Sequence, residues 1–86
     1  MDNEEETHDD LKYLLGNMGV EIFYAIVNGA RNFETIKLFS GIPIACIRGR
    51  VPVLLNLKLI EEQNEEYSIT KKGRRFKQHL DNKNRY

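Results

Sequence analysis

Apolar residues in the first third of the chain recur at helical spacing. Leu11, Leu14 and Leu15 stand at i, i+3 and i+4, and Asp9 or Asp10 can cap or favour the start of a helix there. The glycine-containing stretch 16–19 interrupts this pattern, so we expect a short helix, a break and a second helix over about residues 19–28. The second helix has a buried stripe formed by Ile22, Phe23, Ile26 and Val27.

Two further helices are predicted on either side of a short turn. Asn32 is a suitable N-cap for a helix of about eight residues. Its apolar positions recur at threes and are Phe33, Ile36 and Phe39. Gly41 ends this helix, and Pro43 opens the next one at a position where the missing N–H of proline costs nothing. Two helices joined by a short glycine-containing turn are typical of a helix-turn-helix.

The helix that begins at Pro43 separates two kinds of residue. By 100° spacing, its core side consists of Ile44, Ile47, Val51, Leu54 and Leu55. The opposite side consists of Ala45, Arg48, Gly49, Pro52 and Asn56, with Cys46 and Val53 at one edge. Pro52 lacks the N–H that would bond to the carbonyl group of Arg48. We therefore expect the helix either to kink or to divide into two segments, about 43–50 and 52–58.

The last third of the chain alternates between apolar and polar residues and then becomes helical again. The alternation covers 59–63 and 67–70, on either side of a polar stretch, and this indicates the two short strands of a β-hairpin. The hairpin carries four glutamates, Glu61, Glu62, Glu65 and Glu66. Thr70 then caps a last helix, in which Phe76 and Leu80 stand at i and i+4. The pattern as a whole predicts a mainly α fold with a small β-hairpin.

The composition is that of one small globular domain. The chain has 86 residues, of which 41% are hydrophobic, too many for a disordered protein. We expect an acidic disordered tail at residues 1–8, a domain at 9–81 and a frayed end at 82–86. No apolar run approaches the ~20 residues that span a bilayer, and the start is acidic, unlike a signal peptide. With a single cysteine, these features predict a reduced, cytoplasmic protein with no membrane partner.

A formal net charge of zero conceals a strong segregation of charge. Residues 1–10 carry six acidic side chains and no Lys or Arg, and residues 61–66 carry four glutamates. Residues 67–86 carry seven basic side chains and one acidic one. Blocks of this kind create local electric fields. The first acidic block either keeps the protein soluble or shields the basic region of the same chain.

The sequence contains no recognisable catalytic or metal-binding pattern. Cys46, His8 and His79 stand alone, without the spacing of metal ligands. No nucleophile, base and orienting group come together at a motif. We therefore expect no enzyme activity, no cofactor and no metal.

The order helix, helix, turn, helix, hairpin, helix resembles that of a known superfamily. The residues that carry the likeness are Ile36 through Ile42-Pro43, then Leu54 to Leu59-Ile60, then Tyr67-Ser68-Ile69-Thr70-Lys71-Lys72-Gly73. From about Leu14 to Leu80 the chain resembles prokaryotic winged helix-turn-helix transcription regulators of the MarR- and ArsR-like kind. The resemblance implies a three-helix core, a two-stranded wing and a C-terminal helix.

The same resemblance implies a set of DNA contacts. In that superfamily the helix after the turn enters the major groove, and here the small Ala45 and Gly49 allow close approach while Arg48 can grip guanine. Contacts to the DNA backbone are expected from Asn32, Lys37, Arg50, Asn56, Lys71, Lys72, Arg74 and Arg75. Phosphates would repel the acidic hairpin, so the basic run 71–77 is expected to replace the wing as the backbone clamp. For each of these residues, a solvated surface position is the plainer alternative.

The function that follows is sequence-specific binding of double-stranded DNA by a transcription regulator that acts as a homodimer and takes no small-molecule effector. A domain this small buries little apolar surface, so the leading helix (9–16) is predicted to pack against a second copy through Leu11, Leu14 and Leu15. Two-fold pairing would place two recognition helices about 34 Å apart on a palindromic site. The alternative is a winged helix that binds protein. The acidic hairpin and the apolar residues Cys46, Pro52 and Val53 favour it.

Overall fold

The computed structural model of the protein describes residues 7–83. Its elements are α1 (His8–Val27), α2 (Phe33–Ser40), α3 (Ile44–Asn56), β1 (Ile60–Gln63), β2 (Glu66–Ile69) and α4 (Lys71–Lys83). The strands pair antiparallel, with Ile60 opposite Ile69 and Gln63 opposite Glu66. The fold is mainly helical with a two-stranded antiparallel hairpin, which confirms the predicted class. Most of the predicted tail and frayed end falls at residues 1–6 and 84–86, outside the described residues.

Two helical segments joined at Gly16 make up α1, as the glycine-containing break predicted. Gly16 has φ 69° and ψ 176°, a conformation that glycine adopts far more readily than other residues. The helix starts in a capping box, in which the Thr7 hydroxyl accepts from the amide of Asp10 at 3.0 Å. The carboxylate of Asp10 accepts from the amide of Thr7 at 3.3 Å. The cap is therefore Thr7 rather than Asp9 or Asp10, and the helix includes His8.

Local signals also determine where the other helices begin and end. Oδ1 of Asn32 accepts from the backbone amide of Thr35 at 2.9 Å, and Gly41 ends α2 with a left-handed φ of 75°. The hydroxyl of Thr70 accepts from the amide of Gly73 at 3.0 Å, which caps α4 as predicted. Pro43, however, is the N-cap of α3 and not its first helical residue. At the other end of the chain, α4 continues beyond Asp81 to Lys83.

Pro52 lies inside α3 without dividing it. The helix is continuous from Ile44 to Asn56, so the two-segment alternative is wrong. Pro52 and Arg48 are both exposed. The hydrogen bond that proline removes is therefore on the solvent side of the helix, where water can bond to the unpaired carbonyl group.

The core collects apolar side chains from all four helices and from β1. Its largest fully buried members are Phe23, Phe76, Leu11, Leu15, Ile22, Ile26, Ile36, Ile47, Leu54, Leu59 and Leu80. The rings of Phe23 and Phe76 lie 5.3 Å apart, and the hydroxyl of Tyr24 donates to Oδ1 of Asp81 at 2.6 Å. Burial, and then the hydrogen bond to Asp81, raise the pKa of Tyr24. These contacts join α1 to α4.

Two residues predicted to contact a second copy belong to this core. Leu11 and Leu15 are each 1% exposed, so that part of the prediction is wrong. The reason is that α4 returns across the leading segment of α1, as the 6.0 Å between the rings of His8 and Phe76 shows. Leu14, the third predicted contact, is 56% exposed.

Among the described residues, no single helix is long and apolar enough to cross a membrane. Helices α2 and α3 reach that length and apolar character only as a pair, bent by 107°. Their apolar residues Ile36, Ile47 and Leu54 are buried in the core.

Candidate nucleic-acid interface

The turn between α2 and α3 sets the two helices at 107° to each other. The hydroxyl of Ser40 donates to the carbonyl group of Ile36 at 2.7 Å and accepts from the amide of Ile42 at 3.1 Å. The amide of Gly41 donates to the carbonyl group of Lys37 at 2.7 Å. Two of these bonds close the last turn of α2, and the third ties Ile42 of the turn to the end of that helix.

The outward side of α3 has the residues that the spacing predicted. Ile47, Val51 and Leu54 are buried beneath the helix. The exposed residues of the opposite side, which we call the α3 strip, are Ala45, Arg48, Gly49, Pro52 and Asn56. A Cβ added at Gly49 would meet no atom within 4 Å, so the strip has open space around its middle. Most side chains of the strip are short, and Arg48 carries its single charged group.

The charge on and beside the α3 strip is positive. Arg48 and Arg50 are both exposed. Within residues 7–83, no carboxylate forms an ion pair with either guanidinium group. Lys37 of α2 is exposed as well. The strip thus offers cationic donors to a ligand.

The basic run on α4 contains three residues that face solvent and two that have contacts within the chain. Lys71, Arg74 and Arg75 are exposed. Lys72 is half-buried, and its Nζ donates to the carbonyl group of Leu57 at 2.7 Å. We therefore remove Lys72 from the predicted set of DNA-backbone contacts, since it holds the start of α4 against the end of α3. Lys77 forms a 2.6 Å ion pair with Asp81 one turn further on.

The start of α2 is less favourable for an anion than its free amide groups suggest. Oδ1 of Asn32 is already engaged by the amide and the hydroxyl of Thr35, at 2.9 and 2.8 Å. A depression of about 320 Å³ beside it is lined by Asn32, Phe33, Glu34, Glu65 and Tyr67. Two carboxylates thus border the site, and like charges would repel a phosphate there. Asn32 therefore serves the fold as a cap before it can serve a ligand.

The hairpin is fixed against this end of α2. The amide of Tyr67 donates to the carbonyl group of Arg31 at 2.9 Å, and its ring stacks on that of Phe33 with centroids 6.0 Å apart. Asn64 and Glu65 form the turn, with φ of 53° and 65°. Positive φ at both central residues is expected of a two-residue type I′ turn. All four hairpin glutamates are exposed. The hairpin therefore presents a negative edge.

The chain matches no protein-family model and has no significant match among curated proteins or solved structures. Its function therefore has to be argued from the geometry of its own residues. Among residues 7–83 no group of three or more His, Cys, Asp or Glu side chains could hold a metal ion. Cys46 is a free, half-buried thiol at the edge of the α3 strip.

Five large apolar residues of the described chain are exposed, and they lie on α1 and α2. Leu38 is 82% exposed and Phe39 is 52% exposed, although Phe39 recurs at threes with Phe33 and Ile36. Tyr13, Leu14 and Met18 form a second exposed group on α1. A wheel centred on Ile36 places Leu38 opposite the core, so 100° spacing contains the signal for its exposure. Phe33 and Phe39 lie at equal angles on either side of Ile36, so spacing does not distinguish the half-buried Phe33 from the exposed Phe39.

Proposed function

We propose that the protein is a winged helix-turn-helix transcription regulator that binds double-stranded DNA in a sequence-specific manner, with α3 in the major groove. The observation that carries the proposal is the α3 strip, in which Arg48 projects between Ala45 and Gly49 while the other side of the helix is anchored in the core. A helix that contacts base edges needs one side free to approach the DNA and another side packed against its own domain.

The dimensions and chemistry of the major groove support the proposal. The groove is about 12 Å wide and admits one α-helix, provided that the residues facing its floor are small. Ala45 and Gly49 meet this requirement. The guanidinium group of Arg48 can donate to O6 and N7 of one guanine together. The 107° between α2 and α3 also lies within the range of helix-turn-helix pairs, roughly 90–120°.

Contacts to phosphates would come from basic residues around the strip. Arg50 and Lys37 flank it, Asn56 lies at its end, and α4 contributes an exposed group formed by Lys71, Arg74 and Arg75. Such contacts position a protein on the duplex without reading its sequence. The glutamates of the hairpin would oppose entry into a groove, so the clamp on the backbone is assigned to α4 rather than to the wing.

The homodimer in this proposal uses a revised contact surface. With Leu11 and Leu15 buried, the apolar residues of the leading segment that remain available are Tyr13 and Leu14, with Met18 just beyond Gly16. Exposed apolar groups of this kind are typical of protein contacts. Two copies related by two-fold symmetry would present two α3 helices to one face of the DNA.

Fluorescence anisotropy with a mixed pool of duplexes, measured across a salt series, tests the proposal. Binding through four to six phosphates predicts a slope of log K against log salt concentration of about −4 to −5. The variant Arg48→Ala/Arg50→Ala, which removes two cations of α3, should weaken DNA binding and make the salt slope less steep. Absence of binding at low salt, or affinity that does not change with salt, would contradict the proposal.

The second candidate is a module that binds another protein, favoured by the exposure of Leu38 and Phe39 on α2. Replacing both with serine separates the two functions. The DNA-binding proposal predicts that the affinity for duplex DNA stays the same, because neither residue belongs to the α3 strip. A protein adaptor would lose its partner in this variant.

A further inference from the structure

The first described residues of the chain lie directly on α4. The ring of His8 is 4.9 Å from that of His79 and 6.0 Å from that of Phe76, and Oδ1 of Asp9 lies 3.2 Å from Nε2 of His79. The pKa of His8 is lowered, first by burial and then by the positive charges of His79 and Arg75. The chain therefore enters α1 in direct contact with α4, close to its basic residues.

The exposed cations of α4 have no anionic partner in the described part of the chain. Lys71, Arg74 and Arg75 are exposed, and within residues 7–83 no carboxylate forms an ion pair with them. These three residues fall within five consecutive positions, so they span about 6 Å along the helix axis. Cations this close together repel one another, and an anion that binds across them relieves that repulsion.

The six residues that precede Thr7 have the complementary charge. They include Asp2, Glu4, Glu5 and Glu6 and no basic side chain. Six residues can extend over at most about 20 Å, which exceeds the length of the cationic group several times. The segment is joined to the chain at Thr7, and the next residue, His8, lies beside the middle of α4. Docking of the segment on these cations would therefore be intramolecular, with an effective concentration in the millimolar range.

We propose that residues 1–6 dock on the cationic face of α4 formed by Lys71, Arg74 and Arg75, and that there they compete with DNA phosphates. The competition rests on the proposed function, whereas the contact itself does not. Each exposed ion pair is weak, so DNA displaces the segment from α4 where base contacts by α3 add to the binding energy. On non-specific DNA, which provides phosphate contacts alone, the segment stays bound to α4 more often. It therefore weakens non-specific binding more than specific binding.

The contact is tested without DNA by comparing two variants that each remove four negative charges. The first is Asp2→Asn/Glu4→Gln/Glu5→Gln/Glu6→Gln, and the control is Glu61→Gln/Glu62→Gln/Glu65→Gln/Glu66→Gln. At low salt, the first variant should shift the NMR signals of the Lys71, Arg74 and Arg75 backbone amides and of the arginine Nε–H groups, and the control should not. The difference should vanish near 1 M salt, where the screening length is about 3 Å. Equal shifts, or none, would overturn the contact.

The competition is tested by a cycle of variants on non-specific duplex DNA. Neutralising residues 1–6 should raise the affinity about fivefold at low salt, the size expected of a few exposed ion pairs. In an Arg74→Gln/Arg75→Gln background the same change should have little effect, because the segment then has no site. An equal gain in both backgrounds would overturn the competition. If no variant binds DNA, the proposed function fails and the competition with it, while the NMR comparison still decides whether the contact exists.

Discussion

A Cβ atom added at Gly73 would overlap the carbonyl oxygen of Leu59, so the start of α4 lies as close to the base of the hairpin as a residue without a side chain allows. The same carbonyl oxygen accepts from the amide of Thr70 at 3.1 Å. The glycine in the passage from Tyr67 to Gly73 therefore has a packing role. It lets the last helix turn back onto the core directly after β2.

Replacement of Gly73 by alanine should lower the free energy of unfolding by about 1–3 kcal/mol, because the backbone of α4 or of Leu59 must move. Gly49→Ala is the matched control, since a Cβ there meets nothing within 4 Å. Alanine in an open helical position should raise stability by about 0.5–1 kcal/mol. Urea denaturation of the two variants measures both changes, and effects of the same sign would contradict the packing described for Gly73.

The two kinds of leucine at the start of α1 should respond differently to truncation. Leu11→Ala should lower the free energy of unfolding by about 2–5 kcal/mol at every protein concentration, because Leu11 is packed inside its own chain. Leu14→Ala should change the stability of one copy by less than about 0.5 kcal/mol. Its effect should appear in sedimentation equilibrium as weaker self-association. An unchanged association constant would exclude Leu14 from the dimer contact.

Arg48 and Lys71 should affect DNA binding in different ways. Arg48→Ala should lower the affinity for a specific site by about 1–3 kcal/mol and relax the preference for one base pair. Lys71→Ala should weaken specific and non-specific binding alike and reduce the salt slope by about 1. Mobility-shift titrations on both kinds of duplex would show the difference. Equal patterns in the two variants would contradict the roles given to these residues.

A positive charge at the hairpin turn should strengthen non-specific DNA binding. Glu65→Lys removes one exposed carboxylate from the negative edge and adds a cation to it, so repulsion from nearby phosphates decreases. Glu21→Lys makes the same change of charge on α1 and serves as the control. Titration at two salt concentrations measures both. If the two variants gain equally, the hairpin faces away from the DNA.

Acidification should destabilise the protein through His8. Burial, followed by the charges of His79 and Arg75, lowers the pKa of His8 in the folded state, so the unfolded chain binds the proton more readily. The free energy of unfolding should therefore fall as the pH drops through about 6.5 and level off below the lowered pKa. Thermal unfolding from pH 7.5 to 5 checks this. In His8→Gln the slope should be smaller, and an unchanged slope would contradict the assignment.

The basic residues of α3 and α4 show which parts of the proposed DNA interface can be predicted from the sequence. Exposure of Arg48 and Gly49 on one side of α3 follows from 100° spacing, because Ile47, Val51 and Leu54 demand burial on the other. The same reasoning placed Lys72 with its basic neighbours. Its internal bond to the carbonyl group of Leu57 depends on where the end of α3 lies, and spacing along α4 carries no information about that.

The sequence by itself determined the order and limits of most elements, because their signals are satisfied nearby. The caps at Asn32 and Thr70 bond to amides three residues away, and the left-handed Gly41 needs no distant partner.

Only the tertiary structure decided which side of the leading helix is buried. Asp9 and His79 are 70 positions apart in the chain and 3.2 Å apart in space. Without α4 laid across α1, Leu11 and Leu15 are as available to a second copy as Leu14. Burial depends on the packing partner of an element, and that partner is set by the whole fold rather than by neighbouring residues.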